Sequence, residues 1–195
     1  MLISVVTAVR NRAGTIAEAV ASVQRQTYGA LEHIVQDGAS TDGTVATLTR
    51  IADPRMRLVS EPDHGLYDAL NRGIARARGE IIGLMHSDDV FAASDILDHV
   101  ALAFEDPQVD AVYGDLDYVA ASDTTRVIRR WRSQPFSPER LARGWMPPHP
   151  TLYVRRRVFE ALGAYDTSYR IAADYLAVLR YFGQPGFQAV HIPRV

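Results

Sequence analysis

The sequence predicts an α/β fold, a mainly parallel sheet with helices on both faces. Three features of its 195 residues predict it. Strand-length apolar runs alternate with helical patterns through the first two-thirds of the chain, the leading run is continuously apolar, and polar clusters directly follow several of the runs. In such a sheet the ligand lies beyond the carboxyl ends of the strands.

The elements follow in order. Residues 2–9 form the first strand. Thr15-x-x-Glu18, a capping-box pattern, opens a helix that carries Ile16, Val20 and Val23 on one side. Residues 31–36 are the second strand, Asp42-Gly43-Thr44 starts a helix to about residue 51 with Asp42 as its cap, and 57–60 is the third strand. A helix over 66–78 is stopped by Gly79. The apolar run from residue 80 surfaces as a strand at Asp88, and a helix over 94–105 leads to a strand at 111–114. Beyond Asp117 the alternation breaks: 118–121 and 126–131 read as a hairpin, and a stretch with Pro135, Pro138, Pro147, Pro148 and Pro150 follows. Helices at 156–162 and 172–182 precede a last strand at 188–192. The expectation is one domain over residues 1–195, with 1–117 binding the main ligand and 118–195 forming an acceptor-side segment, and with the chain ending early at its C-terminus.

Composition narrows the classes. With 47% hydrophobic and 23% charged residues the chain can bury a full core, and no apolar stretch reaches the roughly 18 residues that span a bilayer. The absence of cysteine excludes disulfides, thiolate zinc sites and a cysteine nucleophile. Residues 1–9 lack the marks of a secretory signal, so the cytoplasm is the expected compartment. Every basic residue is arginine. Residues 1–120 hold 9 of them against 18 acids, and residues 121–195 hold 12 against 5. The first part suits a cation. The second, with Arg129-Arg130, Arg132 and Arg155-Arg156-Arg157, suits an anionic acceptor or the inner face of a membrane. No binding motif accompanies the arginines, which excludes nucleic acid as the expected partner.

Asp88-Asp89 is the most informative pair. Two carboxylates where a buried strand reaches the surface are a seat for Mg²⁺ or Mn²⁺, which takes one or two carboxylates plus the phosphates of a substrate. Asp115-Leu116-Asp117 is a competing pair, because alternate strand residues share a face; an acceptor contact by Asp115 or a hairpin role is the preferred reading. His149, held in a loop by flanking prolines, is a candidate contact for a diphosphate or acceptor. His86 is a weaker candidate beside the acidic pair.

These pieces together resemble the family 2 glycosyltransferases of GT-A fold. The resemblance rests on Ile3-Ser4-Val5-Val6-Thr7 with Asn11, the run from His33 through Asp37-Gly38-Ala39-Ser40-Thr41-Asp42-Gly43-Thr44, Glu61-Pro62-Asp63-His64-Gly65-Leu66-Tyr67-Asp68-Ala69-Leu70-Asn71-Arg72-Gly73, Ser87-Asp88-Asp89, and Ala172-Ala173-Asp174-Tyr175. It implies an inverting transfer from a nucleoside diphosphate sugar, UDP- or dTDP-linked, to a hydroxyl of a glycan or lipid-linked acceptor. Thr7, Val9, Asn11, Asp37, Asp63, Asn71 and Asp88 would then bind the nucleotide sugar, with Asp37 accepting a hydrogen bond from the base. Asp89, with Asp88, would hold the cation, and Asp174, at a helix start that favours an ionised carboxylate, would be the general base. Leu70, His64 and Leu176 depart from residues frequent in the family, which leaves the donor sugar open. A nucleotidyltransferase is the first alternative, opposed by the lack of a Gly-rich phosphate loop after the first strand. A non-catalytic nucleotide-sugar-binding scaffold is the second.

Overall fold

A computed structural model describes residues 1–194. Its centre is a seven-stranded sheet. Strands β1 (Ile3–Val9), β2 (Leu31–Asp37), β3 (Met56–Ser60) and β4 (Ile81–Leu84) pair in parallel in the order β3-β2-β1-β4. Helices α1 (Ile16–Gln24), α2 (Thr44–Ile51) and α3 (Leu66–Arg76) connect them, and α4 (Ile96–Ala103) leads to β5 (Ala111–Tyr113). A two-stranded hairpin follows, β6 (Leu116–Ala120) with β7 (Asp123–Trp131). Then come the short helix α5 (Pro138–Ala142), a 3-10 turn at His149–Thr151, β8 (Tyr153–Arg155), α6 (Arg156–Leu162), α7 (Ala173–Phe182) and β9 (Ala189–His191).

Both faces of β1 are covered, which is why its run is apolar throughout. Val6 and Ala8 face one core with α3, α6 and α7; Ile3 and Val5 face another with α1 and α4; and Val9 joins Ile16, Val20, Val35 and Leu48 beneath α1 and α2.

The structure departs from the expected elements at several places, among them α5, for which no helix was expected, and β6, which starts two residues early. β8 enters the sheet between β4 and β5, antiparallel to both, from a stretch that the sequence reading left unassigned. It is only three residues long, Tyr153-Val154-Arg155, and it follows prolines that mask the strand pattern. The strand expected to run to Asp88 ends at Leu84, so residues 85–89 form a loop. β7 starts three residues earlier than expected, at Asp123. Thr15 makes no capping hydrogen bond at α1, so the capping box is absent. β8 and β9 both lie in the main sheet, which makes the C-terminal third continuous with the first. No helix among the described residues is long and apolar enough to cross a membrane.

Candidate active site

The order β2-β1-β4 sets three strand ends side by side, and the loops that leave β1 and β2 are bonded to one another. After β1, Asn11 adopts a left-handed backbone (φ 53°), a conformation that asparagine tolerates, and its Oδ1 accepts from the Thr41 amide at 2.9 Å. The Asn11 amide donates to Ser40 Oγ, that of Arg12 to Thr44 Oγ1, and that of Ala13 to Asp42 Oδ2. Asp42 also accepts from the Thr44 amide at 3.0 Å, so it holds the start of α2 although Gly43 is the residue at the cap position. The Gly38 amide donates to the Val9 carbonyl, which is the contribution of the buried Val9 to this loop.

Asp37 ends β2 and is fully buried. Its Oδ2 accepts from the Ser40 amide (2.9 Å) and Ser60 Oγ (2.6 Å), and its Oδ1 accepts from Ser40 Oγ (2.5 Å). Three of a carboxylate's roughly four acceptor sites are thereby used and one remains, on Oδ1. Asp63 lies against Gly38, where a Cβ would collide with its carboxylate; its Oδ1 accepts from the Gly65 amide at 2.9 Å. Glycine at 38 is therefore required by the approach of Asp63. The aliphatic part of Arg10 packs at the same point.

Two residues expected at the nucleotide bond to protein groups in the structure. Thr7 is fully buried, its Oγ1 2.9 Å from His33 Nε2, because that face of β1 is covered by α1. Asn71 bonds the backbone of Tyr165 with both ends of its amide: Nδ2 donates to the carbonyl at 2.7 Å and Oδ1 accepts from the amide at 2.9 Å, with one N–H and one lone pair left over. Its role in the structure is to hold Tyr165.

The loop after β4 carries the acidic pair. Asp88 is exposed and Asp89 half-buried. Burial raises the Asp89 carboxyl above the usual carboxylate range, His86 pulls it the other way, and Asp88 adds to the rise. Neither side chain has a hydrogen-bond or salt-bridge partner among the described residues, in contrast to Asp115 and Asp117. Asp115 accepts from the Ser133 amide and lies 2.9 Å from His191 Nε2, and Asp117 pairs with Arg132 at 2.7 Å. The second acidic pair thus ties β6 to the end of β7 and to β9, and it lines the same cavity as Asp88 and Asp89.

Asp88 and Asp89 offer hard oxygen donors that no arginine pairs with among the described residues, which fits Mg²⁺ or Mn²⁺ completed by phosphate oxygens. Among the described residues no three His, Cys, Asp or Glu side chains form a closed metal cage. Both aspartates line a cavity of about 810 Å³ whose walls include Met85, Phe91, Val100 and Tyr153.

Asp174 occupies the first turn of α7, with Ala172 at the cap, so it is not the helix cap. Its Oδ1 accepts from the Tyr67 hydroxyl at 3.0 Å, and its Oδ2 lies 4.0 Å from His149 Nδ1. His149 is buried, and burial pushes its pKa down to about 4, against the opposing pull of Asp174. The pair is therefore a neutral imidazole beside a carboxylate and not an ion pair at neutral pH. The His149 and His86 rings are 6.0 Å apart, which connects the acidic loop to Asp174.

Tyr67, Tyr165, Ser40 and Ser60 are the participants that sequence reading missed. Tyr67 and Ser40 lie inside motifs already singled out, whereas nothing in the sequence marks Tyr165. The arginine triplet is structural. Arg155 donates to the carbonyls of Phe104, Asp106 and Val109, Arg156 to those of Ala77 and Gly79, and Arg157 pairs with Asp110. Arg126 and Arg130 on the exposed β7 have no such partner among the described residues.

Comparison with known proteins gives the family and the fold. The model of glycosyl transferase family 2 matches residues 4–163. An uncharacterized glycosyltransferase of Mycobacterium tuberculosis is 34% identical over 183 residues, covering 91% of this chain and 68% of its own length. A PGL/p-HBAD biosynthesis glycosyltransferase of Mycobacterium bovis is 31% identical over 189 residues, covering 94% and 71%. Among solved structures, a mannosyltransferase from Pyrobaculum calidifontis in complex with GDP-Man and Mn²⁺ matches with a TM-score of 0.73 at 25% identity, over 98% of this chain and 54% of that one. TarS 1-349 of S. aureus in complex with UDP-GlcNAc matches with a TM-score of 0.79 at 17% identity, over 100% and 59%. The chain spans a little over half the length of these solved structures.

Proposed function

The chain belongs to glycosyl transferase family 2, and on that premise we propose that it transfers a sugar from a nucleoside diphosphate sugar to an acceptor hydroxyl with inversion at the anomeric carbon. One observation carries the reading: the acidic pair after β4, without a hydrogen-bond partner among the described residues, lies on the loop of His86, whose ring is 6.0 Å from that of His149, itself 4.0 Å from a carboxylate on α7 that keeps free acceptor sites.

In this reading the loops after β1 and β2 form the nucleoside end. Asp37, fully buried as the chain stands, meets an imide or amide N–H of the base with its remaining acceptor site once the Ser40 loop opens over it, and Asp63 and Asn11 shape the pocket around Gly38. Asp88 orients the ribose or sugar. Asp89, with Asp88, holds Mg²⁺ or Mn²⁺, which when bound neutralises charge that develops on the departing diphosphate. Asp174 takes the proton of the acceptor hydroxyl while that oxygen forms its bond to the anomeric carbon. The bond from that carbon to the nucleotide's phosphate oxygen breaks, and the nucleoside diphosphate leaves with the electron pair. The acceptor is a glycan or a lipid-linked molecule, and Arg126 and Arg130 suit an anionic group on it or on a membrane surface. Residues 1–117 form the donor part, and 118–195 the acceptor side. UDP and dTDP sugars are the expected donors, with GDP sugars included because the mannosyltransferase above binds GDP-Man.

The test is release of nucleoside diphosphate from UDP-, dTDP- and GDP-sugars in the presence of glycan and lipid-linked acceptors. Asp174→Asn is expected to lower turnover by roughly 10²–10⁴-fold with donor affinity unchanged. Full turnover in that variant removes Asp174 from the mechanism.

A further inference from the structure

The Asp174 carboxylate does not stand alone. The Tyr67 hydroxyl donates to its Oδ1 at 3.0 Å, and His149 Nδ1 faces its Oδ2 at 4.0 Å. On the far side of the imidazole, Nε2 lies 2.9 Å from the Tyr165 hydroxyl. The Tyr165 backbone is in turn held on both its amide and its carbonyl by Asn71.

The protonation pattern of this chain follows from its burial. Tyr165 is buried, which raises its hydroxyl well above the ordinary range, so it remains a phenol with a proton to donate. His149 Nε2 is its only hydrogen-bond partner among the described residues, and a buried hydroxyl proton without an acceptor is costly. Nε2 therefore accepts. A neutral imidazole that accepts at Nε2 carries its proton on Nδ1, the nitrogen that faces Asp174. The opposite tautomer would leave the Tyr165 proton unpaired and aim a lone pair at a carboxylate. The 4.0 Å gap exceeds hydrogen-bond length, and catalytic contacts of this kind often close only when substrate arrives.

We propose that Tyr165 fixes His149 as the Nδ1–H tautomer, that His149 and Tyr67 together orient the Asp174 carboxylate from two sides, and that Asn71 acts on the same group at one further remove. All four are positioning residues. The assignment of Asp174 as the base rests on the function proposed above; the tautomer does not. The side chain of Asp174 remains 26% exposed against 9% for His149, so its free acceptor sites point to solvent, where an acceptor hydroxyl arrives. This gives Asn71 a task on the acceptor side rather than in the donor pocket.

The direct test is the long-range proton–nitrogen NMR spectrum of uniformly ¹⁵N-labelled protein at neutral pH, with the His149 signals assigned by their loss in His149→Gln. Wild-type protein is expected to show the Nδ1–H pattern, and Tyr165→Phe to shift His149 toward Nε2–H. An Nε2–H pattern in the wild type, which needs no variant to observe, overturns the proposal, as does an unchanged pattern in Tyr165→Phe.

Kinetics test the link to Asp174. Tyr67→Phe, Tyr165→Phe and Asn71→Ala are expected to lower kcat about tenfold or more while UDP and GDP affinities stay unchanged, a split that general loosening does not produce. Loss of nucleotide affinity in Asn71→Ala with kcat preserved returns that residue to the donor pocket and overturns its part here. Full turnover in Asp174→Asn instead overturns the base assignment and leaves the tautomer standing.

Discussion

At the scale of single residues, the site depends on how few groups are left free. Asp37, Asp42, Asp115 and Asp117 all accept from protein donors, whereas Asp88 and Asp89 have none among the described residues. Gly38 is needed because Asp63 occupies the space of its missing side chain. Gly38→Ala is expected to displace Asp63, the movable end of a flexible side chain, and so to weaken nucleoside diphosphate binding severalfold in calorimetry with little change in Tm. An unchanged affinity removes Asp63 from the pocket. Gly83 differs, because the rigid, buried ring of Tyr153 covers it. Gly83→Ala is expected to destabilise by about 1–3 kcal/mol in denaturant unfolding, and a loss below that range means that the ring is free to shift.

His33 gives the fold a pH dependence at the same scale. Burial pushes it down to about 4 from 6.5, with only Nε2 partnered, by Thr7. Between those values the unfolded chain binds a proton that the folded one does not, so stability rises with pH through this window and is lost as pH falls through it. The effect is on the order of 3 kcal/mol for such a site, and His149, also about 4, acts in the same direction. Thermal unfolding from pH 7 to pH 4 should therefore show a falling Tm, with a smaller fall in His33→Gln. Equal falls in the two proteins contradict the assignment.

At the scale of elements, α2 is the least secured helix near the site, with only Thr44 and Leu48 buried. Those two residues link the core to the loops: Leu48 packs with Ile16, Val20 and Val35, and Thr44 accepts from the Arg12 amide. Leu48→Ala is expected to cost about 2–5 kcal/mol and to loosen the Asn11 loop as well, which hydrogen exchange at the Arg12 and Thr41 amides would report. Protection there equal to wild type means that the loops hold without α2. The arginines divide by element. Arg155 and Arg156 fasten the ends of α4 and α3 to β8, whereas on β7 Arg129 stacks over Tyr118 and Trp131 and leaves Arg126 and Arg130 facing outward. Sequence clustering alone did not separate these uses, because a carbonyl partner leaves no mark in the sequence.

At the scale of the whole molecule, what was legible followed the range of the interaction. β1 through α3 emerged from local periodicity and turn residues, and the acidic pair from its place after an apolar run. β8 was hidden, because three residues carry no pattern and its partners, β4 and β5, are distant in sequence. The surroundings of Asp174 were hidden for the same reason: the Tyr67 contact spans 107 positions and the Asn71 contact with Tyr165 spans 94. The family resemblance sets Thr7 at the nucleotide, whereas in the structure its hydroxyl meets His33, a partner 26 positions away.

The proposed transfer depends on a strand-end rim where Asp88 and Asp89 would hold a cation against a nucleoside diphosphate. Calorimetric titration of UDP, dTDP and GDP, with and without Mn²⁺, into wild-type protein and Asp89→Ala tests it most directly. At least one nucleotide should bind more tightly with Mn²⁺ to the wild type, and Asp89→Ala should lose that gain. A gain that survives in Asp89→Ala, or no gain with any of the three nucleotides, would contradict the account.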